Sequence, residues 1–230
     1  MANRKVPFVN GEIYHLFNRG VDKQNIFKDE FDLERFFQGM MLFNSIKPIG
    51  SLYEKSFELD MAGELGGSTS KCIEFYNRNK KNRLVEFICY CLNPNHYHLV
   101  VEQKVDGGIS ELMKRIGGYT YAFNEKYKRS GSLFQGRFKS VHVENNTQLL
   151  HVSAYVNLNN QFGGGNSTES RSLSSWPEYL MATNEDICEK SIVLKQYRHR
   201  KDYTRFAKSS LKDIIRRKNQ EKEMRNLLID

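Results

Sequence analysis

Residues 12–18, within "GEIYHLFNRG", alternate between apolar and polar until a glycine interrupts them, a pattern that predicts a strand. Over 29–46, "DEFDLERFFQGMMLFNSI", the period becomes helical. Phe31, Leu33, Phe36, Phe37, Met40 and Met41 recur at helix spacing, and Asp29 is placed to cap the start. Residues 47–82 show no sustained period, and the glycine- and serine-rich "MAGELGGSTSK" among them reads as a loop or insertion. "RLVEFICYCL" (83–92) is a dense apolar run and predicts a buried strand. "NPN" then predicts a turn and "HYHLVVEQ" (96–103) a second strand, so the two form a hairpin.

A helix is expected from Ser110 to Tyr127, with Ser110 as N-cap and Gly131 just past the end. "SLFQGRFKSVHVE" reads as short strands about a Gly136 turn, with Phe134 and Phe138 toward the core. "NTQLLHVSAYVNLNNQF" (146–162) predicts a further helix, with Leu149, Val152 and Val156 on its apolar side. Residues 163–175 read as a linker and 176–230 as a basic, mostly helical C-terminal region. The order β-α-β-β-α, short hairpin, α predicts an α+β, ferredoxin-like (RRM-like) antiparallel sheet with helices on one face, built from residues 1–162.

Composition narrows the class. The chain has 230 residues, 39% of them hydrophobic and 12% aromatic, enough for a real core. No run approaches the ~18 apolar residues of a membrane span, and the start lacks the apolar region of a signal peptide. Cys72, Cys89, Cys91 and Cys188 form no CxxC pair, which fits a reduced cytoplasmic protein. The net charge of +8 is unevenly spread: residues 195–226 carry 12 Lys and Arg against 4 Asp and Glu, and the remainder is neutral. Within that remainder, residues 112–139 carry 7 basic residues against 1 acidic. Two basic stretches, one with interleaved aromatics, favour a phosphate-binding surface, although each taken alone is also what a solvated helix face looks like.

Alternation puts His96 and His98 on one strand face, with Tyr97, Leu99 and Val101 on the other. Two imidazoles so placed can hold one divalent cation, and two hydrogen-bonded surface histidines would give the same pattern. In "HVSAYVNLNN" (151–160), helical spacing places His151, Tyr155 and Asn159 along one stripe beside Val152 and Val156. An ordinary amphipathic helix with a half-buried tyrosine reads the same way.

Taken together, "NPNHYHLVV", "ISELMKRIGGYTYAFNEKYKRSGSLFQGRFKS" and "LLHVSAYVNLNN" resemble the HUH-type single-tyrosine transposases, and most nearly the branch associated with repetitive extragenic palindromes. The resemblance runs from "YHLFNRGVDKQNIFKDEFDLERFF" to about residue 162 and continues weakly into "SLSSWPEYL". It implies that His96 and His98 are metal ligands, that Tyr155 is the nucleophile and that Asn159 completes the metal site. It further implies a divalent cation, Mg²⁺ or Mn²⁺, and a partner in single-stranded DNA with hairpin or palindromic ends. The reaction implied is cleavage and rejoining through a 5′-phosphotyrosine, by a monomer or homodimer. Asn160 departs from the family pattern, which has proline there.

Lys114, Arg115, Lys126, Lys128, Arg129, Arg137 and Lys139 are expected to line the DNA path, with Arg19 joining them, while His15 reads as structural. The tail is either a non-specific DNA grip or a solvated helix pair. Two other function classes fit the same pattern: a non-catalytic or domesticated nucleic-acid-binding protein on this fold, and a metal-dependent nuclease in which Tyr155 is structural.

Overall fold

The computed structural model describes residues 7–52, 54–55, 68–161, 172–181 and 186–227. Strand β1 (Ile13–Arg19) leads into helix α1 (Glu30–Leu42), whose Asp29 cap accepts from the Asp32 amide at 2.9 Å. Five of the six apolar positions expected on α1 are buried. Phe31 instead faces out, with the Lys126 ammonium 4.8 Å from its ring centroid. Helix α2 (Ser68–Arg78) packs on α1 through Cys72, Ile73 and Tyr76. This corrects the expectation of irregular structure across 47–82: too few apolar residues in a serine-rich setting hid the helix. Residues 53 and 56–67 lie outside the described residues.

Strands β2 (Val85–Asn93) and β3 (His96–Gln103) form the expected hairpin, closed by Pro94 and Asn95. The single helix expected over 110–127 is two, α3 (Gly108–Ile116) and α4 (Tyr119–Lys126), divided at Gly117 and Gly118. The α3 cap is Gly107, at φ +69°, rather than Ser110. The segment around Gly136 is no hairpin. It gives one edge strand, β4 (Lys139–Val143), which pairs with β1, and a lone bridge from Phe134 to Gly20.

Helix α5 (Asn146–Asn157) follows, capped by Asn145, whose side chain accepts from the Gln148 amide at 2.9 Å. A two-residue strand β5 (Leu173–Ser174) pairs with β2, and Ser175 is fully buried. The expected linker therefore ends in a sheet edge; its residues 163–171 lie outside the described ones. Helices α6 (Trp176–Leu180), α7 (Ser191–Leu194) and α8 (Arg200–Leu227) complete the chain.

The sheet order β4-β1-β3-β2-β5, with every neighbouring pair antiparallel, is the expected α+β ferredoxin-like arrangement with one added edge strand. Helices α1 to α4 cover one face over Leu16, Leu99, Val101, Phe36 and Leu112. The other face is covered as well: α5, α6, α7 and α8 bury Ile88, Cys89, Val100, Val156 and Tyr203 there. A bulge between Phe87 and Cys89 turns both Ile88 and Cys89 toward this second layer. The basic tail thus begins as a packed element of the fold. Among the described residues no helix is long and apolar enough to cross a membrane.

Glu178 on α6 ties the last segments together, accepting from the Ile187 and Cys188 amides at 3.1 and 3.0 Å. Burial raises its carboxyl pKa to about 7. Its folded pKa is above the unfolded value, so the stability it contributes is complete below about pH 4.5 and is lost as the pH rises through about 7. We expect wild type to lose on the order of 3 kcal/mol from this group between those limits. Denaturant titrations at pH 5 and pH 8 should show a smaller drop for Glu178→Gln, and parallel pH profiles for the two proteins would contradict this.

Candidate active site

Cross-strand register assembles the site on the second face. Arg19, His96 and Asn93 form one row across β1, β3 and β2, and Phe17, His98 and Cys91 form the next. His96 and His98 do share a face, with ring centroids 5.1 Å apart, while Tyr97, Leu99 and Val101 enter the opposite core as expected. Helix α5 lies over these rows. Tyr155 sets its ring edge-on to His98 at 5.4 Å and to His15 at 6.3 Å, all within one chain.

Asn159 reaches the site by a different route from the expected helical stripe. Helix α5 stops at Asn157, and Asn159 opens a 3-10 turn that directs its side chain toward β3. Its Oδ1 lies 2.9 Å from His96 Nε2. It also hydrogen-bonds the Tyr155 phenol, so it links Tyr155 and His96. His151 leaves the stripe, because α8 draws it away: Nδ1 meets Ser210 Oγ at 3.2 Å and the ring lies on Phe206.

Asn93 is a site residue that periodicity does not single out. Buried at the end of β2, it donates from Nδ2 to Asn159 Oδ1 at 2.7 Å and approaches His96 Nε2 at 3.1 Å. The available signal was the hairpin itself, since a two-residue turn puts Asn93 opposite His96. On the other flank, Asn95 Oδ1 is 2.6 Å from His96 Nδ1, while Asn95 Nδ2 donates to the Lys23 carbonyl. With Asn95 Oδ1 as its partner, Nδ1 of His96 can carry the proton, and in that tautomer Nε2 keeps its lone pair.

That tautomer tests the fit of a cation. His96 Nε2 and Asn159 Oδ1 are then both lone-pair donors, 2.9 Å apart, with the Asn93 amide within reach of both. Such a separation suits two ligands of one ion at bond lengths of ~2.0–2.2 Å. His15 Nε2 faces His98 Nδ1 at 2.9 Å. Burial lowers the His15 pKa to about 4, so the ring stays neutral and can accept from His98 Nδ1, leaving the lone pair of His98 on Nε2. His15 is structural in this sense: it orients a candidate ligand. Among the described residues no three His, Cys, Asp or Glu side chains converge as a metal site.

Burial raises the Tyr155 phenol above its ordinary value, while its hydrogen bond to Asn159 pulls the other way. The surroundings are an open face, with Phe17 and Val141 partly or fully exposed beside Tyr155 and with Arg19 and Lys139 at the rim. A cleft of about 670 Å³ exists elsewhere, among Arg83, Glu86, Cys188 and Lys195, at the opposite end of β2. An open face suits a polymer; an enclosed cleft suits a small ligand.

The expected basic residues divide. Arg19 and Lys139 stand on the Tyr155 face by register, and Arg137 is exposed beside Gly136. Arg115 and Lys126 both serve internal contacts. Arg115 donates to the Phe43 and Ser45 carbonyls at 3.1 and 2.6 Å and pairs with Glu111. Lys126 is held by Asp29 and Asp32 at 2.6 and 2.8 Å. Arg129 bonds Asn124 and the Ser132 carbonyl. It sits with Lys114 and Lys128 in the α1–α4 layer, across the sheet from Tyr155.

Residues 64–159 match the family model described as "Transposase IS200 like", a span that holds His96, His98, Tyr155 and Asn159. Over that span the match agrees with the resemblance drawn from the motifs. A solved structure, that of a REP-associated tyrosine transposase bound to a REP hairpin, shares 10% identity over 83% of this chain and 93% of that one, with a TM-score of 0.44. No curated protein matches the chain.

Proposed function

We propose that this protein is a transposase that cleaves and rejoins hairpin-bearing single-stranded DNA through Tyr155. The observation that carries the reading is the meeting of Tyr155, His98, His96 and Asn159 in one chain, inside the segment that matches the IS200-like transposases. A pure binding module gives no reason for a tyrosine and an amide oxygen to converge on two oriented imidazoles.

The chemistry follows from the residues. Tyr155 Oη attacks the scissile phosphorus and loses its proton to solvent. The bond to O3′ breaks, the 3′ oxygen takes up a proton, and the 5′ end stays on the enzyme as a phosphotyrosine. Because a phosphodiester is exchanged for a phosphodiester, the reverse attack by a 3′-OH rejoins strands without ATP. His96, His98 and Asn159 would hold a divalent cation, Mg²⁺ or Mn²⁺, which when bound neutralises charge developing on the phosphate. His15, Asn93 and Asn95 fix the ligand tautomers and orientations. Arg19, Arg137 and Lys139 line the reacting strand, and Phe17 offers a base-sized apolar floor. Helix α5 packs on the histidine strand of its own chain, the arrangement that attack in cis requires.

Incubation with Mn²⁺ and hairpin-bearing single-stranded DNA should give a protein–DNA adduct that survives a denaturing gel. Absence of an adduct across a range of hairpins would refute the transposase reading. Cleavage without an adduct would favour a metal-dependent nuclease.

A further inference from the structure

Helix α8 is seated by one narrow stripe. Tyr203, Ala207, Ser210 and Leu211 are buried against the α5 layer. At about 100° per residue, the opposite side of the helix is then fixed. It carries Lys201, Arg205, Lys208, Lys212 and Arg216, all exposed. These five cations fall within an arc of roughly 80° and climb roughly 22 Å, with no acidic residue in the arc.

Asp202 and Asp213 stand just outside it and pair with Arg205 and Arg216 at 3.5 and 3.2 Å. Exposed pairs of this kind contribute little, and a phosphate can take the place of the carboxylate. A solvated helix needs no such sorting, since mixed charges around its outer surface would serve solubility equally well. The regular climb, with one cation per turn, matches a linear array of negative charge and offers no convergent pocket for a small anion.

We propose that this outer stripe of α8 binds the phosphate backbone of DNA, independently of sequence and away from the reacting phosphate. The stripe faces away from α5, so the DNA it meets lies beyond the helix that carries Tyr155; a hairpin stem fits that position. The inference rests on the reading of the chain as a DNA-processing enzyme. It assigns to the C-terminal helix two jobs on opposite sides, one seating α5 and one holding substrate.

The test is hairpin-DNA binding by the full chain as a function of salt. The variant is Lys201→Ala/Arg205→Ala/Lys208→Ala/Lys212→Ala/Arg216→Ala, whose changes are all on exposed side chains. The slope of log K against log salt should become shallower by about 0.9 for each phosphate that the stripe no longer neutralises, or roughly 3–4 in all. Affinity near 0.1 M salt should fall by about a hundredfold, equally for unrelated stem sequences. At saturating DNA the variant should still form the Tyr155 adduct. An unchanged slope would overturn the proposal. So would an equal loss when five exposed lysines outside α8 are neutralised instead, because net charge alone would then explain the effect. If wild type binds with the steep slope but forms no adduct, the catalytic reading fails and the stripe stands.

Discussion

Tyr155→Phe should abolish the covalent DNA adduct, with a loss of at least about a thousandfold, while leaving hairpin binding within a few-fold of wild type. In the proposed mechanism the oxygen removed is the atom that bonds to phosphorus, and water in its place gives no covalent product. The ring remains, so the edge-on contacts to His98 and His15 persist. Loss of the hydrogen bond to Asn159 should cost only about 1 kcal/mol of stability at a partly buried position. Denaturing gels and a binding titration on the same samples separate the two effects. Other tyrosines are poorly placed to substitute. Tyr119, Tyr121 and Tyr127 belong to the opposite layer, and Tyr97 points into the core beneath the sheet. An adduct that survives in Tyr155→Phe would therefore contradict the assignment directly.

Tyr203→Ala should be the most damaging change outside the site, at about 3–5 kcal/mol of stability. The Tyr203 ring is fully buried among Trp176, Tyr179 and Tyr197. Its hydroxyl meets Ser153 Oγ at 3.1 Å and accepts from Asn157 Nδ2 at 3.0 Å, and Asn157 Oδ1 accepts from Ser175 at 2.6 Å. Ser175 in turn joins the β2 backbone at Tyr90. This chain of bonds fastens the C-terminal half of α5 to both α8 and the sheet. Asn157 lies midway between Tyr155 and Asn159, so loosening it displaces both together. Tyr203→Phe keeps the packing but strands the Asn157 amide, and should cost about 1–2 kcal/mol. Thermal melts combined with single-turnover adduct formation would check the series. A wild-type adduct rate in Tyr203→Ala would show that α5 holds its place without α8.

What could be read from sequence was whatever depends on local period. The strands around His15 and His96, the body of α1, and the shared face of His96 and His98 all follow from alternation or helical spacing. What could not be read depends on distant packing. Helix α2 shows few apolar positions, and its burial comes from α1. The break at Gly117 and Gly118 turns one predicted helix into two. His151 and Asn159 seemed equivalent on a helical stripe, but α8 claims the first and a 3-10 turn presents the second. Arg115 and Lys126 looked like phosphate ligands because their carbonyl and carboxylate partners come from α1 and the residues around it, some 60 to 100 positions earlier in the chain. Asn93 carried no pattern at all, only its place across a tight turn from a histidine.

The Asn93 amide has a consequence for how the site is filled. Imidazoles bind a metal ion in their neutral form, so with an amide oxygen they would bring no formal charge to the spot where a dication would sit. The Asn93 N–H group can serve the same lone pairs, so an ion has to displace a hydrogen bond that already satisfies them. The negative charge that would favour a dication therefore has to arrive with the substrate, as phosphate oxygens. Affinity for the ion and affinity for DNA must then rise together, each by the same factor that it confers on the other. On the proposed reading, such a site would be armed chiefly when DNA is in place.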